Sequence, residues 1–438
     1  MTAVLLLAAA LVGGDVAPVQ PGAGLSLAAA VATARDTSPA LSAARQRAAA
    51  AAEQARAASR LWIPALTLDS SWDRTDVPAR AFAQKLNRGA FTSNDFALGR
   101  LNDPGFDANL ETTVGLGLAV DVFGSRRAQA RSEAARARAQ VARARAVEAD
   151  VALETTRVYL ALLSTARAVA AAEKSLRAAF AMEETVSAQR DAGSALDADV
   201  LRVRSRRRQR EVGLARERSE EALETSRLRL LLGWTPDRAI SLSSPAGPEI
   251  PALSLDEWTS RALAASPELE AADAAAEGPR EDSRRERRAS WPAIDAGAAY
   301  QDDRSSLSNG RGAATFQVRL HWDVWDAGRR PRLAASNAAA DAAAADRRAV
   351  EDAVRLAVES SWRDLEVARM EAEAASAGRR EADEVYRVVG QRWQAGKAAL
   401  VDVLDAESAQ SSAAADEARI AARVGIAAAT LQRAAGGI

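Results

Sequence analysis

The stretch Val114-Gly115-Leu116-Gly117-Leu118-Ala119-Val120-Asp121-Val122 alternates without a break. Successive side chains of a strand point to opposite faces, so Val114, Leu116, Leu118, Val120 and Val122 share one side and Gly115, Gly117, Ala119 and Asp121 the other. A second stretch repeats the pattern, with Phe316, Val318, Leu320, Trp322 and Val324 opposite Gln317, Arg319, His321 and Asp323. Each is preceded by a weaker strand. Leu66, Leu68 and Trp72 oppose Thr67, Asp69 and Ser71, while Ile294, Ala296 and Tyr300 oppose Asp295 and Gly297. An apolar face, a polar or small face and aromatics near the ends fit membrane strands of ~9–11 residues with lipid on one side and water on the other. A half-buried sheet of a soluble domain shows the same alternation. Four such strands favour the membrane, because the remaining sequence offers only long helical rods to cover a soluble sheet. His321, between Arg319 and Asp323, is expected on the water-facing wall, with no ligand or catalytic role.

The strands belong to an internal duplication. Leu25-Ser26-Leu27 recurs as Leu253-Ser254-Leu255, Ser38-Pro39 as Ser266-Pro267 and Pro64-Ala65 as Pro292-Ala293, all at an offset of 228. Further on, Asp121-Val122-Phe123 answers Asp323-Val324-Trp325 and Tyr159 answers Trp362. Gly193 answers Gly396, and Asp199-Val200-Leu201 answers Asp402-Val403-Leu404, at an offset of about 203. The first half therefore holds some 25 extra residues, in a loop from about Asp76 to Glu111 that suits an extracellular surface loop. Each repeat reads as helix, strand, loop, strand, very long helix, tight turn, helix. The first covers 23–233, with a hairpin over 63–123, a long helix over 126–190 and a helix over 197–232. The second covers 253–438, with a hairpin over 292–325, a long helix over 329–393 and a helix over 400–435. Four prolines between Trp234 and Pro251 mark 234–252 as a linker.

The long helices carry no proline over some 65 residues, roughly 100 Å at 1.5 Å per residue. Val151, Val158, Leu162, Val169 and Leu176 recur at mostly sevenfold spacing, as in coiled-coil seams. Composition agrees with rods. Aromatics are 4% of the 438 residues, charged residues 27%, and alanine dominates the apolar share. A net charge of -1 gives no electrostatic support for binding nucleic acid. The absence of cysteine excludes disulfides and thiolate sites, and a single histidine leaves little for metal or acid-base chemistry. No Walker-type glycine loop, catalytic triad or metal spacing is present, so no enzyme activity and no cofactor are expected. The apolar run Val4 to Val12, followed by Gly13, Gly14, Pro18 and Pro21, is of signal-peptide size, and 1–22 is expected to be removed on export. No other run reaches the ~18 apolar residues of a helical span.

Four strands cannot close a barrel, and open sheet edges are forbidden in hydrocarbon. The chain must therefore oligomerise. Two copies would give about eight strands, filled by their own side chains, whereas three give about twelve and leave an open lumen, which suits transport. The competing reading is a periplasmic coiled-coil adaptor or scaffold without a channel.

In the order Ser38-Pro39, Pro64, Asp121-Val122-Phe123-Gly124, Ser266-Pro267-Glu268-Leu269, Pro292, Trp322-Asp323-Val324-Trp325-Asp326-Ala327-Gly328, Ala395-Gly396 and Val401-Asp402-Val403-Leu404-Asp405-Ala406, the chain resembles the TolC-type outer-membrane efflux proteins over nearly all its length. The resemblance implies an α+β membrane protein: a homotrimer with a 12-stranded β-barrel in outer-membrane lipid and an α-helical tunnel through the periplasm. It implies docking at the turn-bearing tips, around Gly193, Gly396 and Lys397, with a periplasmic adaptor (membrane fusion protein) and an inner-membrane pump or ABC exporter. It also places rings of carboxylates at the periplasmic mouth on Asp402 and Asp405, with Asp199 as the first-half equivalent. The alternative for Asp402 and Asp405 is that they complement the dipole of their own helix. Asp197 is expected as an N-cap. The basic residue that helps lock the family's closed tip is replaced by Ala398, with Lys397 beside it.

Overall fold

The computed structural model describes residues 24–243, 251–306 and 309–437. The expected signal peptide, and the centre of the expected linker, lie outside these residues. In chain order the elements are α1 (Leu27–Thr37), α2 (Pro39–Ser59), β1 (Ala65–Thr75), α3 (Pro78–Asn87), a 3-10 turn (Ser93–Phe96), α4 (Leu98–Asn102), β2 (Asp107–Val120), α5 (Ser125–Asp191) and α6 (Asp197–Leu231). The second half follows with α7 (Leu255–Ala265), α8 (Pro267–Arg288), β3 (Ala293–Ser306), β4 (Asn309–His321), α9 (Arg329–Gln394) and α10 (Leu400–Ala434). These elements pack as two compact units, and each draws on both sequence repeats.

The unit formed by Arg45–Arg143 and Glu268–Val350 contains one antiparallel sheet in the order β1-β2-β3-β4. Its register puts Leu66 opposite Leu116, Leu116 opposite Ala298 and Ala298 opposite Phe316. All four strands thus turn their apolar residues to the same face. Rows Val120/Ile294/Leu320, Leu118/Ala296/Val318, Leu66/Leu116/Ala298/Phe316 and Leu68/Val114/Tyr300/Ala314 follow one another two residues apart. Ser70, Thr112 and Asp302 end the band on the hairpin side, and Trp291, Trp322 and Trp325 lie exposed at its helix side.

Both strands that lead into long helices stop earlier than the alternation suggests, at Val120 and His321 rather than Val122 and Val324. The reason is capping. Asp121 accepts from the amides of Arg126 (3.1 Å) and Arg127 (2.9 Å) at the start of α5, so its carboxylate serves the helix instead of the sheet. In the second repeat Asp326 pairs with Arg332 and accepts from the amide of Gly328 (2.8 Å), which together hold its carboxyl below the usual carboxylate range. The loop expected from Asp76 to Glu111 is shorter and folded: β2 already begins at Asp107, and α3, the 3-10 turn and α4 fill the rest.

The unit formed by the described residues up to Ala44, Ala144–Pro267 and Glu351 onward is helical. Its core gathers Val158, Tyr159, Leu160, Leu162, Leu228 and Leu232 around Ala30 and Ala34. The first helix of each repeat is broken where a continuous helix is expected. Ser38 and Ser266 are extended, with ψ 118° and 121°, because a following proline disfavours helical geometry at the residue before it. Part of the expected linker is paired: Leu242 bridges Leu25 in parallel, and the buried Tyr159 hydroxyl donates to the carbonyl of Leu25 at 2.7 Å and also reaches that of Ser243.

Candidate functional site

The sheet presents two chemically opposite faces. Leu66 is 73% exposed, Phe316 82% and Val318 77%, and Leu116, Val114, Tyr300 and Leu320 are exposed with them. Water does not tolerate a continuous apolar surface of this extent on a folded protein without a partner. At about 3.4 Å per residue the four apolar rows span about 20 Å along the strands, roughly 15 Å of height at a tilt of about 40°, and the exposed Trp72 and Trp322 beyond them extend the band toward the ~25 Å of an outer-membrane barrel. The opposite face carries Asp69, Glu111, Asp295, Asp303, Arg311 and Arg319 among small residues, as a water-filled interior requires. His321 ends this polar face and sits 3.3 Å from Asp323, exposed. No helix among the described residues is long and apolar enough to cross a membrane.

The tips of the helical unit are two matching turns. At the end of α5 the amide of Gly193 donates to Arg190 (2.9 Å) and that of Ser194 to Gln189 (2.8 Å). At the end of α9, Gly396 donates to Trp393 (2.9 Å) and Lys397 to Arg392 (2.7 Å). This double bond pattern closes a helix only if the turn residue has positive φ, and the two glycines stand at 75° and 69°. Lys397 is exposed, with no ion pair among the described residues.

Beyond each turn a carboxylate folds back onto its helix. Asp402 accepts from the amide of Ala399 at 3.1 Å, and Asp199 from that of Leu196 at 3.4 Å while pairing with Arg202 at 3.1 Å. Asp197 is therefore not the cap: it is the first helical residue, exposed, 3.8 Å from Arg190, and Asp199 does the capping. Asp405 lies one turn after Asp402, with its side chain 73% exposed and 3.5 Å from Arg206 of α6. Behind it the chain buries Val186, Val200, Val203 and Leu404 against Trp393 and Leu400, which fixes α10 to the α5 and α6 ends.

A polar network missed by sequence reading reinforces this packing. Glu407 accepts from Ser175 of α5 (2.7 Å) and Arg210 of α6 (2.8 Å), and the nearby Tyr386 hydroxyl is pushed up in pKa by burial and then by Glu407. The signal was present in the sequence: Arg206 and Arg210 are one helical turn apart in an arginine-rich helix, and Asp405 and Glu407 offer carboxylates in the last one. No group of residues that could hold a metal ion occurs among the described residues.

A family model described as outer membrane efflux protein matches residues 30–234 and again 258–437, once for each repeat. Among solved structures, a membrane protein from Pseudomonas aeruginosa is 20% identical over 94% of this chain and 93% of that one, with a TM-score of 0.80. The outer membrane protein VceC of Vibrio cholerae is 17% identical over 94% and 96%, with a TM-score of 0.78. The Campylobacter jejuni CmeC outer membrane channel is 14% identical over 94% and 85%, with a TM-score of 0.80. No curated protein matches the chain. At such identities the solved structures establish the fold, and the family match covers most of the sequence. With its duplicated hairpins, lipid-type sheet face and matched halves, the chain belongs to the outer membrane efflux protein family, whose members are passive outer-membrane channels rather than enzymes.

Proposed function

We propose that three copies of the chain close a twelve-stranded barrel and form the exit duct of a tripartite efflux or type I secretion system. The observation that carries this reading is the sheet's combination of an exposed apolar face with two open edges, β1 and β4. On each edge about half the residues of an 11- to 13-residue strand direct both backbone groups outward. That leaves roughly ten unpaired groups, each costing several kcal/mol in hydrocarbon. Because neighbours alternate in direction through four strands, β4 of one copy meets β1 of the next antiparallel, and the ring closes without an irregular seam.

In this assembly the helical units extend into the periplasm and the turns at Gly193 and Gly396, with Lys397, meet a periplasmic adaptor. An inner-membrane pump or ABC exporter supplies substrate and energy. Asp402 and Asp405, one turn apart on the exposed side of α10, are repeated three times around the axis, giving six carboxylates that favour cations and narrow the periplasmic mouth. Asp199, paired with Arg202 and with its side chain only 20% exposed, contributes less. With Ala398 in place of the basic locking residue, the Arg206–Asp405 pair is the contact that restrains the ring within a protomer. The test is single-channel recording in planar bilayers of the purified protein and of the Asp402→Ala/Asp405→Ala variant. Loss of cation preference with a larger conductance supports the ring; unaltered conductance and selectivity reject it.

A further inference from the structure

We infer that residues 76–106 form an inward-folded cap that narrows the outer mouth of the duct and limits its conductance, with Arg88 as the positioning residue that holds it there. The inference rests on the barrel reading above. The connection between β1 and β2 leaves the sheet at the end opposite the long helices, and it does not extend away into solvent. It folds back on the polar face. Gln84 of α3 donates to Asp73 at 3.0 Å, with Arg80 3.6 Å from the same carboxylate. Arg88, with its side chain only 5% exposed, donates to the carbonyl of Ala108 (2.7 Å) and to Asp107 (2.6 Å), and reaches Asn109 at 3.4 Å. Asn109 is buried and donates at 2.6 Å to the equally buried Asp303 across the strand pair. Gly89 lies so close to Arg311 of β4 that an added Cβ would stand 3.0 Å from its guanidinium.

Asp73, Asp107, Asn109, Asp303 and Arg311 all occupy strand positions on the polar side of the register, opposite the Leu/Val face. These hydrogen-bonded and ion-paired anchors are on the face that surrounds the lumen, and only the last residue of the segment, Phe106, reaches the other face, against Arg74 at 5.2 Å. The segment also has a core of its own. Phe82, Phe91 and Phe96 meet edge to face at 4.6 and 4.9 Å, Ala81 is fully buried, and Lys85 pairs with Asp95 at 3.0 Å. It is a folded object rather than a slack loop, and it stays where its anchors put it.

The dimensions make this a restriction. Twelve strands about 4.8 Å apart, tilted by about 40°, lie on a circle of roughly 24 Å diameter. Three helices about 10 Å across with their side chains need a circle of roughly 22 Å. Because the larger circle passes through the strand backbones and the wall's own side chains fill part of it, one inward-folded α3 per protomer leaves little of the mouth open.

The test uses the full trimer in planar bilayers. Replacing residues 76–106 by the two-residue turn Asn-Gly, which can join Thr75 to Asp107 in the observed register, in the Asp402→Ala/Asp405→Ala background where the periplasmic ring no longer limits flow, is expected to raise single-channel conductance at least about twofold over that background. Arg88→Ala is expected to raise it less and to add current fluctuations as the cap detaches. Because the chain has no cysteine, Ala83→Cys on the exposed side of α3 provides an independent reading. A bulky membrane-impermeant maleimide added from the outer side is expected to reduce current. Conductance no higher than that background after the replacement, or complete labelling at Ala83→Cys without loss of current, overturns the cap. If the replacement does not assemble, the labelled variant decides alone. A wild-type protein that forms no channel contradicts the barrel reading instead, so the two failures are distinguishable.

Discussion

Val318 and Gln317 are neighbours in β4 whose side chains point to opposite faces, and exchanging each for arginine separates lipid from water at a single step of the chain. Val318 is 77% exposed in the protomer, so Val318→Arg removes little packing within the protein. In water such a change stays within about 0.5 kcal/mol. In a bilayer an arginine near the midplane of a barrel wall costs about 2–4 kcal/mol per copy. Val318 lies in the second of four apolar rows, close to that midplane, so the full range applies. At about 1.4 kcal/mol per tenfold, each protomer loses roughly 30- to 700-fold in its folding equilibrium, and a trimer bears the cost three times. Gln317→Arg, facing Gly297 across the polar side, is expected to stay within about 0.5 kcal/mol. The assay is urea-induced unfolding in phospholipid vesicles, alongside the yield of heat-modifiable oligomer in the outer membrane. Equal effects of the two substitutions, or a larger effect at Gln317, would refute the assignment of faces and with it the membrane sheet.

Two further outcomes test other parts of the structure. Tyr159→Phe removes the donor shared by the carbonyls of Leu25 and Ser243, and because the Leu25 carbonyl still accepts from the Ser243 amide at 3.0 Å, it is expected to cost about 0.5–1.5 kcal/mol. Hydrogen exchange at Leu25 and Ser243 should quicken, and unchanged protection would show that the hydroxyl is dispensable. Asp95 is held down from 3.8 to about 2, first by the Thr92 hydroxyl, then the Thr92 amide and Lys85. A depressed carboxyl stabilises fully above its unfolded value, so the cap is expected to keep its stability above about pH 4 and lose it as pH falls toward 2. Pepsin, active in that range, should then cut near Phe91 and Phe96, whereas Asp95→Asn should be cut equally at pH 4 and pH 2; a wild-type cap that resists at pH 2 contradicts the lock.

The strands were legible because a period of two survives even in a glycine-rich stretch such as 114–120, and the register could be anticipated from which residues needed lipid. Strand ends are not, because Asp121 reads as the next alternating residue until the amides of Arg126 and Arg127 compete for its carboxylate, and Asp326 as a turn residue until Gly328 and Arg332 do. The break at Ser38-Pro39 was visible as a motif but read as helix interior, although a proline restricts the residue before it. The α3 helix carries ordinary start and stop marks, Pro78 at its first position and Gly89 at φ 64° just past its end. A long polar connection masks them, because it suggests a surface loop. Pairing across distance is out of reach where no local pattern joins the partners, as with Arg88 and Asp107 or Leu25 and Leu242. At the tips the glycines and acidic residues stood out by duplication, while the capping roles of Asp199 and Asp402 emerge only from backbone geometry.

The scaffold alternative leaves the exposed apolar sheet face and its two open edges unexplained, and it is separated from the channel by one determination. Protein extracted from the outer membrane in mild detergent is to be weighed by light scattering with the detergent subtracted, then reconstituted in planar bilayers. Three chains per particle, with discrete ion-conducting steps, is the predicted result. A monomer or dimer that stays soluble after detergent removal and passes no current would contradict the account.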